Sequence, residues 1–131
     1  MPAPDSASWT VIPVMYRDAV IYKAYGDILL EGSITDTQIE VLRASLRDET
    51  YYIPGQLGLG HLAHEAWPGS SYDDDDNWHE MFLSEIRRVD LAISALIRER
   101  GTQDGGTVAE FLAKVQDAAS AGWNPRIDSA W

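Results

Sequence analysis

An α+β fold, a small antiparallel sheet of about four strands packed against two to four helices in a single domain, is predicted by three features of this 131-residue chain. Runs of β-branched and aromatic residues follow one another from Trp9 to Leu30. Two capping boxes, at Thr35 and Thr107, each open an apolar stripe at helical spacing. The length suits one domain with its own core, and the 45% hydrophobic content is that of a globular chain.

Residues 1–8 are rich in Pro, Ala and Ser and are expected to form a flexible lead, with 9–123 as the domain and 124–131 as a C-terminal tail. From Trp9, the groups Val11-Ile12, Val14-Met15-Tyr16, Val20-Ile21-Tyr22, Tyr25 and Ile28-Leu29-Leu30 suit two or three strands. Turns are expected at Arg17-Asp18-Ala19 and Gly26-Asp27. The first helix opens at Thr35, whose hydroxyl caps an orphan N–H while Gln38 reaches back. Ile34 and Ile39 are placed as a hydrophobic staple, and Ile39, Leu42 and Leu46 form the buried stripe. Asp36 and Glu40 lie toward the positive end of its dipole, Arg43 and Arg47 toward the negative end.

Tyr51-Tyr52-Ile53-Pro54-Gly55 ends any helix and begins a turn, and a short helix is expected over 60–67 before Pro68-Gly69. Ser70 to Asp76 reads as an exposed acidic loop. A strand is expected from Trp78 to Ile86, with Trp78, Glu80, Phe82, Ser84 and Ile86 on one side, followed by a helix from an Asp90 cap to Arg100. Residues 101–106 read as a loop. Thr107 to Glu110 opens the last helix, with Gly122 as its C′ residue. Trp123 and Trp131 either dock back on the domain or offer anchors to a partner.

Charge is the most unequal property of the chain. The net charge is -11, and the stretch from Asp48 to Glu85 holds nine carboxylates without a Lys or Arg. Four of them, Asp73 to Asp76, are consecutive, and carboxylates that close repel unless they face water, a cation or a basic partner. Such a field favours encounter with positive surfaces and opposes nucleic acid or anionic lipid. The glycines Gly55, Gly58 and Gly60 have no following Lys or Arg, so they do not make a phosphate cradle. Cysteine is absent, which removes disulfides and thiolate metal sites. The N-terminus lacks a basic residue followed by an apolar run, and no stretch reaches membrane-spanning length, so a soluble cytoplasmic protein is expected.

Quoted together, Tyr16-Arg17-Asp18-Ala19, Tyr22-Lys23, Gly26, Tyr52-Ile53-Pro54, Gln56-Leu57-Gly58-Leu59, Asp74-Asp75 and Trp78-His79-Glu80 resemble the pattern of a set of small acidic bacterial proteins without an assigned activity. Ala109-Glu110-Phe111-Leu112 and Gly122-Trp123 fit it as well. Val20-Ile21 replaces an expected Asn, and Asp76 stands where that pattern has His. The resemblance implies an α+β domain and supplies no mechanism.

His61, His64 and His79 near the Asp run are the most chemical-looking group, and two His at i, i+3 share a helix face. Neither the zincin His-Glu-x-x-His spacing nor a full EF-hand loop is present, and the plainer reading has His61 and His64 flanking a Gly-rich turn. Carboxylate pairs such as Glu80 with Glu85, or Glu65 with Asp76, need one member buried for acid catalysis, and there is no nucleophile elbow. Acid interleaved with aromatics suits a patch that takes up Arg and Lys by ion pairing and cation–π contact. The expected function is therefore a non-catalytic binding protein without cofactor. Asp73, Asp74, Asp75, Asp76 and Glu80 would steer a basic, nucleic-acid-binding surface of a partner protein, and Tyr72, Trp78 and Trp67 would anchor it. Anti-CRISPR and anti-restriction inhibitors, antitoxins and immunity proteins have this size and charge, an analogy of type. A metal-dependent hydrolase on His61, His64, His79 and the Asp run is the alternative.

Overall fold

The computed structural model describes residues 8–17, 23–60, 62, 78–89 and 102–124. Strands β1 (Trp9–Arg17) and β2 (Lys23–Glu31) pair antiparallel in unbroken register, from Trp9 opposite Glu31 to Arg17 opposite Lys23. Side chains alternate across a strand, so Ile12, Val14, Tyr16, Ala24, Ile28 and Leu30 enter the main core while Trp9, Val11, Met15 and Leu29 are buried on the other face. Gly26-Asp27, expected as a turn, lies inside β2 opposite Val14 and Pro13. Nine paired residues outweigh the local turn preference of two. The turn and strand expected over 18–22 fall outside the described residues.

Among the described residues the sheet has six strands and is mixed, not a four-stranded antiparallel one: its order is β3-β4-β1-β2-β6, with β5 also paired to β1. Strands β3 (Tyr51–Tyr52), β4 (His79–Met81) and β5 (Arg87–Val89) are two or three residues long. Their ladders with distant strands stabilise them, and they are too short to carry a period-two signature. The strand expected from Trp78 to Ile86 stops at Met81. The Phe82 N–H donates to the Pro13 carbonyl, and Leu83–Glu85 form a 3₁₀ turn, so Phe82, Ser84 and Ile86 do not continue the outward row.

Strand β6 (Thr102–Thr107) lies parallel to β2, where the sequence reads as a loop. Its Thr-Gln-Asp-Gly-Gly-Thr composition is poor for a strand, yet one glycine is required by packing. A Cβ on Gly105 would stand 2.5 Å from Leu30, 2.8 Å from Ile28 and 3.3 Å from Phe111.

Helix α1 (Asp36–Ser45) begins as its capping box dictates. The Thr35 hydroxyl accepts from the Gln38 N–H at 3.1 Å, and the Gln38 side chain accepts from the Thr35 N–H at 2.9 Å. Ile34 and Leu42 are buried, Ile39 packs against them, and Leu46 caps the helix in an extended conformation. Helix α2 (Val108–Ala121) repeats the device with Thr107 and Glu110 and buries Val108, Phe111, Leu112, Val115 and Ala118. Gly122 is its C-cap, one position earlier than the C′ expected, at φ 94°. Trp123 docks inward, its indole N–H donating to the Ser45 carbonyl at 2.9 Å. Helices expected at 60–67 and 90–100 fall outside the described residues, except Gly60 and the buried Leu62.

Bonds from the Thr107 backbone N–H and hydroxyl hold the Glu110 carboxyl below the usual carboxylate range, with a smaller contribution from Lys114. A depressed carboxyl stabilises the fold above its unfolded pKa, and that contribution is lost as pH falls through the folded value. Thr107→Ala is expected to cost about 1 kcal/mol in denaturant unfolding at neutral pH. The deficit should shrink in acid, where Glu110 is protonated in wild type as well.

Candidate functional site

Strand β4 carries the site residues that the structure describes, and its alternation separates them. Glu80, half-buried, points to the second face of the sheet, directly opposite Tyr51 on β3 and the buried Met15 on β1. His79 points the other way, fully buried. Its ring lies 5.0 Å from that of Tyr16 and 5.6 Å from that of Tyr52, and its Nε2 accepts a hydrogen bond from the Leu62 N–H at 3.2 Å. In that arrangement the Nε2 lone pair is engaged by the backbone. His61, His64, Trp67, Tyr72 and Asp73 to Asp76 fall outside the described residues. Among the described residues no three His, Asp or Glu side chains converge as a metal site.

Beside Glu80 stands an aromatic corner. Tyr51 is 37% exposed, and the Trp78 ring meets it edge-on at 6.3 Å. The Arg47 guanidinium lies 5.8 Å over the Trp78 ring, a cation–π distance. Arg47 and Tyr51 reach the corner through a tight turn: the Arg47 carbonyl accepts from the Thr50 N–H at 3.0 Å, and Asp48 and Glu49 adopt φ 51° and 61°. Two successive left-handed residues make this a type I′ turn, for which Asn-Gly is preferred. Holding Asp and Glu there costs stability. The double substitution Asp48→Asn with Glu49→Gly is expected to raise the unfolding free energy by about 1 kcal/mol, read by denaturant titration.

Apart from Arg47, three guanidinium groups among the described residues are engaged with acids elsewhere. Arg43 pairs with Glu40 at 3.1 Å and Arg88 with Asp36 at 2.9 Å, while Arg87 stands 3.9 Å from Asp27. All three acids lie outside the stretch from Asp48 to Glu85. Asp48, Glu49 and Glu85 form no ion pair among the described residues. An open cleft of about 350 Å³ runs between α1 and the 83–88 segment, over Ile39, Leu83 and Ile86. Its two cations, Arg43 and Arg88, are the ones already paired, and no nucleophile–base pair lines it.

Of the described strand tyrosines, Tyr16 and Tyr52 are buried whereas Tyr51 and Tyr25 are exposed, Tyr25 by 64%. The signal for Tyr51 lies in its neighbour: adjacent strand residues face opposite sides, so a Tyr-Tyr pair puts one ring out. No helix among the described residues is long and apolar enough to cross a membrane. No family model, curated protein or solved structure matches the chain.

Proposed function

We propose that this protein acts without catalysis, as an acidic binder that occupies a basic, nucleic-acid-binding surface of a partner protein in the cytoplasm. Inhibitors of defence complexes, antitoxins and immunity proteins work in this way. The observation that supports the reading is the division of charge among the described residues. Among the described residues Arg43, Arg87 and Arg88 are engaged with Glu40, Asp27 and Asp36, and Asp48 and Glu49, in the turn that leads to Tyr51, form no ion pair. Negative charge of that kind steers a cationic surface, and aromatics beside it supply desolvated contact area. Asp73 to Asp76, with Tyr72 and Trp67, extend the same chemistry in sequence.

The test is affinity capture from the producing cell at low and high salt, with wild-type protein and with a variant carrying Asn at 73, 74, 75 and 76 as baits. A basic protein retained at low salt by wild type and weakly by the variant supports the reading. Equal retention on both baits, or a stoichiometric transition metal in protein purified without chelator, contradicts it; the metal would favour the hydrolase built on His61, His64 and His79.

A further inference from the structure

We propose that the corner formed by Tyr51, Trp78 and Glu80 is a receptor for a guanidinium group, that the partner enters it with an arginine side chain, and that Arg47 is the chain's own occupant in the unbound state. This rests on the binding function proposed above and names the contact through which it operates. Tyr51 and Glu80 are paired directly across β3 and β4, so their side chains stand together on one face. Trp78 lies two residues before Glu80 and meets Tyr51 edge-on. That ring already holds a guanidinium, since Arg47 lies over it at 5.8 Å.

A guanidinium is planar and weakly hydrated; it stacks on an aromatic face while its N–H groups reach a carboxylate, and a lysine ammonium matches this geometry less well. Arg47 belongs to an exposed turn, so an incoming arginine has only a surface contact to displace. Aromatic rings on a sheet face also serve as platforms for nucleic-acid bases, but such platforms sit in basic grooves. Here Glu80 is paired across from Tyr51, Asp48 and Glu49 precede Tyr51 in the same turn, and the chain nets -11, so a phosphate backbone is repelled. A second copy of a chain with net charge -11 is disfavoured for the same reason.

The test titrates the protein at fixed ionic strength with a peptide of alternating Arg and Gly, and with a Lys-Gly peptide of equal charge. The Arg peptide is expected to bind at least about threefold tighter than the Lys peptide. Trp78→Ala and Tyr51→Ala should each weaken it about fivefold, and Trp78→Phe should restore most of the loss. Glu80→Gln should weaken binding more than Asp104→Asn, which removes the same charge from the opposite edge of the sheet. Arg47→Gln should strengthen binding more than Lys114→Gln, which removes the same charge from α2. If Trp78→Ala and Tyr51→Ala bind like wild type, or Glu80→Gln and Asp104→Asn lose equally, the receptor is overturned while the binding function stands. If neither peptide binds wild type at low salt, the binding function fails too.

Discussion

Replacing His79 with alanine is expected to lower the unfolding free energy by about 4 kcal/mol, the largest effect of any single substitution considered for this chain. Two losses combine. The ring fills a fully buried position between Tyr16 and Tyr52, so truncation leaves a cavity where β4 meets β1 and β3. The Leu62 N–H also loses the Nε2 acceptor, and an unpaired buried donor carries its full desolvation cost. Phenylalanine separates the two, because it keeps the aromatic volume and lacks the acceptor. His79→Phe should cost about 2 kcal/mol, near half of the alanine effect. Chemical denaturation of both variants checks this. A cost below about 1 kcal/mol for alanine would mean that the ring is not the post on which Leu62 rests.

The second large effect is at Gly105. An added methyl group enters space already filled by Leu30 and Ile28, both fully buried and both on β2, with Phe111 of α2 behind them. Overpacking of this kind costs about 2 to 3 kcal/mol, because neither branched side chain has room to turn away. For a domain of this size Gly105→Ala should lower the melting temperature by roughly 10 °C. The control is Gly58→Ala, where an added Cβ meets nothing within 4 Å. Gly58 has φ 72°, so its cost is backbone strain of about 1 kcal/mol and leaves the core intact. Equal melting temperatures for the two variants would contradict the close approach of β6 and α2.

The two helices were legible in the sequence because each capping box is complete within four consecutive residues, Thr35 to Gln38 and Thr107 to Glu110. Strand structure between Trp9 and Leu30 was legible in the β-branched and aromatic runs, although the turn expected at Gly26-Asp27 lies inside β2. Strand β6 was not. Thr102–Thr107 has no apolar period, and its pairing with β2 depends on Gly105 admitting Phe111, a contact between residues that local composition does not join. The short strands β3 and β5 were hidden for the same reason, since their partners lie far away in sequence.

At the candidate site, period two placed Trp78 and Glu80 together on one side, as the structure has them. Tyr51-Tyr52 read as the start of a turn, whereas both lie in β3 with the Tyr52 ring buried and the Tyr51 ring exposed. Arg47 read only as a charge at the end of a helix. Its position over Trp78 follows from the left-handed turn at Asp48 and Glu49, a backbone geometry that acidic residues do not advertise.

The most direct test of the central claim, that uncompensated carboxylates steer this chain onto a basic partner, is the association rate constant with a captured partner measured across ionic strength. The rate should fall steeply as salt rises, by about tenfold or more from low to physiological ionic strength, and the variant with Asn at 73 to 76 should start slower with a flatter dependence. Dissociation rates should change little between the two proteins. A wild-type association rate indifferent to salt, or a variant that follows the same curve, would contradict the claim.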